Sequence, residues 1–189
     1  MRRVAFVVQR YGPEVNGGAE FLCRAVAERL RPKADVEVVT TCAVDYMTWK
    51  DVYPSGRQEV NGVPVRRFPV DAPRDVTRFN ALSQRVLLAA HSREDELAWV
   101  RSQGPYSTPL LEFLRENGKA YDALVFFTYL YGTTFFGLPL VQDRSILVPT
   151  AHDEPPAYLG IYRELFQLPR GIIYCTPEER QFVADRFPV

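Results

Sequence analysis

Two short stretches carry groups suited to chemistry. The first, QRYGPEVNGGAEFLCRAVAERL from Gln9 to Leu30, leaves an apolar strand, crosses a loop and starts a helical pattern on Gly17 and Gly18. Glycine costs roughly 1 kcal/mol against alanine inside a helix, so bare backbone at that point needs a reason. With Asn16 as cap, Gly17 and Gly18 would present N–H groups at the positive end of the helix, a place for a phosphate or other anionic oxygen. A tight turn or close packing of helix on sheet uses glycine as readily. Glu20 in the first turn favours the helix dipole but repels a bound anion, so it must point elsewhere, and Arg24 four residues on offers it a surface ion pair.

The second stretch is TAHDEPP, in which His152, Asp153 and Glu154 leave the end of a strand. Three adjacent side chains rarely converge on one ion, so no metal is expected, and Asp153 or Glu154 also suits the cap of a helix near Tyr158. The other histidine, His91, sits in a helical pattern and is read as solvated or packed. FFTYLYGTTFF adds Tyr129, Tyr131, Thr133 and Thr134. Aromatic faces and hydroxyls suit sugar recognition, while buried packing accounts for an aromatic run equally well.

The elements that position these residues follow from periodicity. Val4 to Gln9 is an apolar strand, and Ala19, Leu22, Cys23, Val26, Ala27 and Leu30 then fall on one helical face that stops near Pro32. VEVVTT follows at the distance a right-handed βαβ crossover needs. Residues 43 to 58 read as irregular. EVNGVPVRRFPV turns at Asn61-Gly62, and Pro64 and Pro69 assign that run to a sheet edge. Residues 79 to 103 are helical with one break. Thr108 then caps a helix with Pro109 at its first position, closed by Asn117-Gly118. Strands begin at Asp122, Ser145 and Gly171, with a helix from Gly132 between the first two. Thr176, Pro177 and Glu179 have the spacing of a capping box.

Strands alternating with helices specify a Rossmann-like, doubly wound α/β fold, with a mainly parallel sheet of six or seven strands and helices on both faces. Ligands in such sheets bind beyond the carboxyl ends of the strands. Those ends here carry Arg10 to Gly18, Thr40-Thr41, Thr128 to Thr134, His152-Asp153-Glu154 and Thr176. Neither G-x-G-x-x-G nor a G-K-[ST] phosphate loop occurs.

Composition narrows the partners. In 189 residues, 47% hydrophobic, one domain can close a full core, and 23 basic residues balance 23 acidic ones. That balance gives no global attraction for nucleic acid, and none is expected as a partner. No apolar run is long enough for a signal core or a membrane span, which leaves peripheral membrane association open. Cys23, Cys42 and Cys175 are odd in number and widely spaced, as expected of reduced thiols in a cytoplasmic protein.

Taken in order, RVAFVVQRYGPEVNGGAE, VEVVTT, VNGVPVRRFPV, TAHDEPP and GIIYCTPEERQFV resemble the N-terminal domain of the family-four retaining glycosyltransferases, in which two Rossmann-like domains face a cleft in the GT-B architecture. The resemblance runs over nearly the whole chain. It implies that residues 1–189 are the acceptor-side domain, and that a C-terminal domain absent from this sequence binds a nucleotide-sugar donor and carries a glutamate pair seven residues apart. It implies that Gly17 and Gly18 approach the donor phosphate and sugar, and that His152 lies by the reaction centre. Acceptor-side candidates are Arg10, Tyr129, Tyr131, Thr133, Asp153 and Glu154. The family usually needs no metal or other cofactor; its acceptors are saccharides or lipid-linked saccharides, which places the protein in the cytoplasm or at the inner face of a membrane. Two other readings stand beside it: a noncatalytic carbohydrate- or partner-binding module, and a stand-alone nucleotide-binding enzyme, for which no convincing phosphate loop or acid–base pair is found.

Overall fold

The computed structural model describes all residues, Met1–Val189. Seven strands form one sheet: β1 (Arg3–Val7), β2 (Asp35–Thr41), β3 (Gly56–Val60), β4 (Val63–Phe68), β5 (Ala123–Phe127), β6 (Ser145–Val148) and β7 (Gly171–Ile172). Their order across the sheet is β3-β4-β2-β1-β5-β6-β7. Every neighbouring pair is parallel except the β3–β4 hairpin. From β1 the chain moves through β2 to the outer β3, folds back as β4 between β3 and β2, and then lays β5 on the other side of β1. The strand order therefore reverses between β1 and β5, which is where a doubly wound sheet opens a crevice at its carboxyl edge.

Seven helices cover the sheet: α1 (Gly18–Leu30), α2 (Val76–Leu88), α3 (Arg93–Gln103), α4 (Thr108–Asn117), α5 (Gly132–Gly137), α6 (Gly160–Leu165) and α7 (Pro177–Arg186). Alternation along β1 divides the core in two. Ala5 and Val7 face a cluster with Trp99, Leu110, Leu114, Ile161 and Val183, which belong to α3, α4, α6 and α7. Phe6 and Val8 face the other side, where Cys23 and Ala27 of α1 are the helical residues that close the cluster. Both faces carry helices as expected, but unevenly. At about 1.5–3 kcal/mol for each fully buried large apolar side chain, these two clusters are the main force holding the strands in register.

Several local expectations are revised. The 63–70 run is not an edge: β4 lies between β2 and β3, and β3, inside the stretch read as irregular, is the outer strand. Pro64 is tolerated because it faces Glu59 of β3 one residue before pairing with β2 begins at Val65, and Pro69 follows the last strand residue. The break in the 79–103 helix falls at Ala89–Ser92, where Ser92 and Asp95 form a capping box, and α2 starts earlier on its own cap, Asp75. The cap of α4 is Ser107, whose hydroxyl accepts from the Leu110 amide, so Thr108 opens the helix and is not its cap. No helix is long and apolar enough to cross a membrane.

Candidate functional site

At the start of α1 the expected cap is replaced by a different device. The residue in cap position is Gly17, with extended backbone and no side-chain cap, so Asn16 does not serve. Glu20 turns back over the first turn and is buried against Arg10, their side chains 6% and 7% exposed. Its Oε1 accepts from Arg10 Nε at 2.8 Å and from Gln9 Nε2 at 2.9 Å. Arg10 donates further to the Val44 carbonyl at 2.8 Å. The surface pair between Glu20 and Arg24 does not form; Arg24 instead donates to the Gly12 carbonyl. A buried long-range partner that gives two N–H donors to one carboxylate oxygen outcompetes an exposed i,i+4 contact worth a few tenths of a kcal/mol.

This arrangement separates the two glycines. A Cβ on Gly17 would overlap the Glu20 carboxylate and crowd Arg10 Nη2 at 3.1 Å, so Gly17 is glycine to admit the ion pair. A Cβ on Gly18 would meet nothing within 4 Å. Gly18 is exposed on the first turn of α1, and no contact within the chain requires its side chain to be missing.

The second wall of the crevice comes from the ends of β5 and β6. Thr128 and Thr150 both adopt left-handed backbone, with φ of 71° and 51°, and the Thr150 hydroxyl donates to Thr128 Oγ1 at 3.2 Å. A β-branched residue there costs on the order of 1–3 kcal/mol and persists only where its surroundings enforce it. The two loops are joined by backbone hydrogen bonds, the Thr128 amide donating to the Val148 carbonyl and the Tyr129 amide to that of Pro149. The backbone thus turns sharply just where both strands meet the crevice.

Beyond that turn His152 projects into solvent, its side chain 73% exposed and its Nε2 3.7 Å from Glu154 Oε2. Glu154 stands in the cap position of a short 3₁₀ turn, Pro155–Tyr158, but its side chain makes no capping hydrogen bond, and Asp153 caps nothing. Asp153 accepts from the Tyr158 hydroxyl at 2.8 Å, and Glu154 accepts from the Tyr129 hydroxyl at 2.8 Å. The loop is fixed from below by Glu179 of α7, whose Oε1 accepts from the Ala151 amide at 2.7 Å and whose Oε2 accepts from the Cys175 amide. Half of the expected capping box is present, since Thr176 Oγ1 accepts from the Glu179 amide. The Glu179 carboxylate, however, serves the loop of His152 and not the cap residue.

The aromatic run divides between core and site. Tyr129 is fully buried, its ring edge-on to Tyr162 at 4.8 Å, so it shapes the Glu154 loop from within and presents no face to a ligand. Thr133 is buried, with no partner for its hydroxyl. Tyr131 is half-buried and edge-on to Trp49 at 5.2 Å. Burial pushes the Tyr131 hydroxyl above the usual phenol range; Glu20 and Glu154 add to this, while Arg10 and Arg74 oppose it. Tyr131 thus feels charges on both walls, Glu20 and Arg10 on one side and Glu154 on the other.

Of the residues singled out in the sequence, Gly18, Tyr131, Asp153 and His152 border the open carboxyl edge, whereas Arg10, Gly17, Tyr129, Thr133 and Glu154 support it from inside. Sequence reading missed the roles of Glu20 and Glu179. Glu179 was visible as a capping-box residue, but its partner at Ala151 lies 28 positions away and leaves no local signal. No group of three or more His, Cys, Asp or Glu side chains is placed to hold a metal ion. No protein-family model matches the chain, and no curated protein matches it.

Proposed function

We propose that this chain is the acceptor-side domain of a retaining glycosyltransferase with GT-B architecture, moving a sugar from a nucleotide-sugar donor to a saccharide or lipid-linked acceptor. The observation that carries the reading is the pairing of Gly18, glycine for no reason internal to the chain, with the exposed His152 on a braced loop, both at the carboxyl edge of a sheet whose order reverses between β1 and β5. Gly18 leaves room for a donor phosphate and sugar beside the first turn of α1. His152 donates a hydrogen bond to the transferred sugar near the departing phosphate, and that phosphate takes the acceptor proton on the same face. Aligned donors of this kind act where charge develops, and each is worth about 10²–10³ in rate.

The positive groups that stabilise the leaving diphosphate come, in this reading, from a second, donor-binding domain. Burial of Tyr129 removes one of the two tyrosine faces, and burial of Thr133 one of the hydroxyls, that a stand-alone carbohydrate module would use. The test is incubation of the full-length gene product with a panel of nucleotide sugars and glycan acceptors, following nucleoside diphosphate release and the anomeric proton of the product. Transfer with retained configuration is expected; inversion, or no transfer across the panel, overturns the proposal.

A further inference from the structure

A cavity of about 450 Å³ opens beside Tyr131, between the loop after β4 and helices α2 and α3. Trp49 joins it to the crevice, lining the cavity while its ring packs against Tyr131. The Gly132 amide, donating to the Gly104 carbonyl at 2.9 Å, ties the same walls together. The volume lies within the usual range for a small-molecule site.

Three arginines outnumber two carboxylates in its lining. Arg74, Arg78 and Arg101 all line it, and none of the three forms an ion pair. Arg74 is held over the Trp49 and Phe79 rings and donates to the Gln103 side chain at 3.1 Å and the Tyr46 carbonyl at 3.0 Å, so a guanidinium lodged in the wall has only neutral partners. Burial lowers it to about 10, which leaves it charged at neutral pH. Arg101 lies over the Tyr106 ring at 4.1 Å, and the Arg78 side chain makes no hydrogen bond. The two carboxylates in the lining are already engaged: Asp71 accepts from the Thr108 amide and hydroxyl, and Asp75 accepts from the Arg78 amide as the cap of α2.

A second charged cavity, of about 300 Å³, shows the contrast. It lies at the opposite edge of the sheet, where Arg3 meets Asp35 at 3.7 Å and Glu37 at 3.6 Å, and these two carboxylates balance the two arginines of its lining, Arg3 and Arg57.

The geometry points to an anion subsite in the 450 Å³ cavity, in which Arg78 and Arg101 grip a phosphate and Trp49, Tyr106 and Leu82 cover the ring or chain that carries it. Guanidinium groups match phosphate oxygens in a forked geometry, and an aromatic and aliphatic floor suits the body of a sugar or the upper part of a lipid headgroup. The site stands on its own geometry. Its assignment to the acceptor, so that the acceptor is phosphorylated, rests on the glycosyltransferase reading.

Binding to the 189-residue chain is followed by amide chemical shifts during titration with glucose 1-phosphate, with glucose, and with inorganic phosphate, and by co-sedimentation with vesicles of phosphatidylglycerol or of phosphatidylcholine. The expected result is saturable binding of glucose 1-phosphate or of phosphatidylglycerol vesicles, weakened at least tenfold in the Arg78→Ala/Arg101→Ala double variant and unchanged in Arg115→Ala on the outer face of α4. Whichever arm responds identifies a soluble or a lipid-borne phosphate. Binding that survives the double variant, equal binding of glucose, or no binding in either arm overturns the subsite. A chain that binds phosphate through these arginines, while the full-length gene product transfers no sugar, overturns the glycosyltransferase reading alone.

Discussion

Adjacent alanine substitutions at the two glycines are expected to move stability in opposite directions. At Gly17 the added methyl lands on the Glu20 carboxylate, which is already buried against Arg10. Overpacking of this kind costs about 1–3 kcal/mol, and the cost rises toward about 3–5 kcal/mol if Glu20 is expelled and Arg10 stays buried without its partner. At Gly18 the methyl enters open space in the first turn of a helix, where alanine restricts the unfolded chain and gains about 0.4–1 kcal/mol. In a chain of this length 1 kcal/mol corresponds to about 2–4 °C in Tm. Scanning calorimetry should therefore show Gly17→Ala melting at least about 2 °C below wild type and Gly18→Ala melting slightly above it. Sugar transfer should follow the other order at Gly18, with the bulkier Gly18→Val folded but strongly impaired. Equal shifts at both positions, or a neutral Gly17→Ala, would refute the division of roles between packing and ligand approach.

Three further outcomes follow from buried acceptors and one titrating group. Glu96 accepts from the Gly160 and Ile161 amides and from His91 Nε2, so Glu96→Ala strands the buried Ile161 amide and should lower the urea midpoint by an amount equivalent to about 1–3 kcal/mol. Glu179→Ala should loosen the 151–154 loop, seen as faster hydrogen exchange at the Ala151 amide, and should lower kcat more than it raises KM. His91 is raised above the ordinary imidazole range, first by its bond to the Ala89 carbonyl and then by Glu96. A raised folded-state value stabilises fully below the unfolded value of about 6.5 and loses that contribution as pH climbs through the folded one. Urea midpoints from pH 5.5 to 8.5 should therefore decline in wild type by more than in His91→Ala, and parallel profiles would contradict the assignment.

The parts of this molecule that obey local rules were legible in the chain. Apolar alternation in Val4 to Gln9, the 3.6 period from Ala19 to Leu30 and the punctuation at Gly104-Pro105 and Asn117-Gly118 place strands and helices in order, and that order specifies a doubly wound sheet. Errors arose where a tertiary partner overrode a local one. Glu20 prefers the distant Arg10 to Arg24 on its own helix, and Pro64 sits in an interior strand because β2 pairing starts one residue later. The left-handed Thr128 and Thr150 had no signal at all, since threonine is an ordinary strand residue and only the crevice geometry forces it out of strand conformation. The arginine-lined cavity was equally hidden, because Trp49, Arg74 and Arg101 come from three separate segments.

Turnover and melting of His152→Ala in the full-length gene product, measured side by side, test the central claim most directly. His152 is exposed and its loop is held by Glu179 through the Ala151 backbone, so removing the imidazole leaves the bracing intact. Loss of one aligned donor at the reaction centre should lower kcat by about 10²–10³ while Tm stays within about 1 °C of wild type. Full turnover in the variant, with or without a lower Tm, would contradict the account.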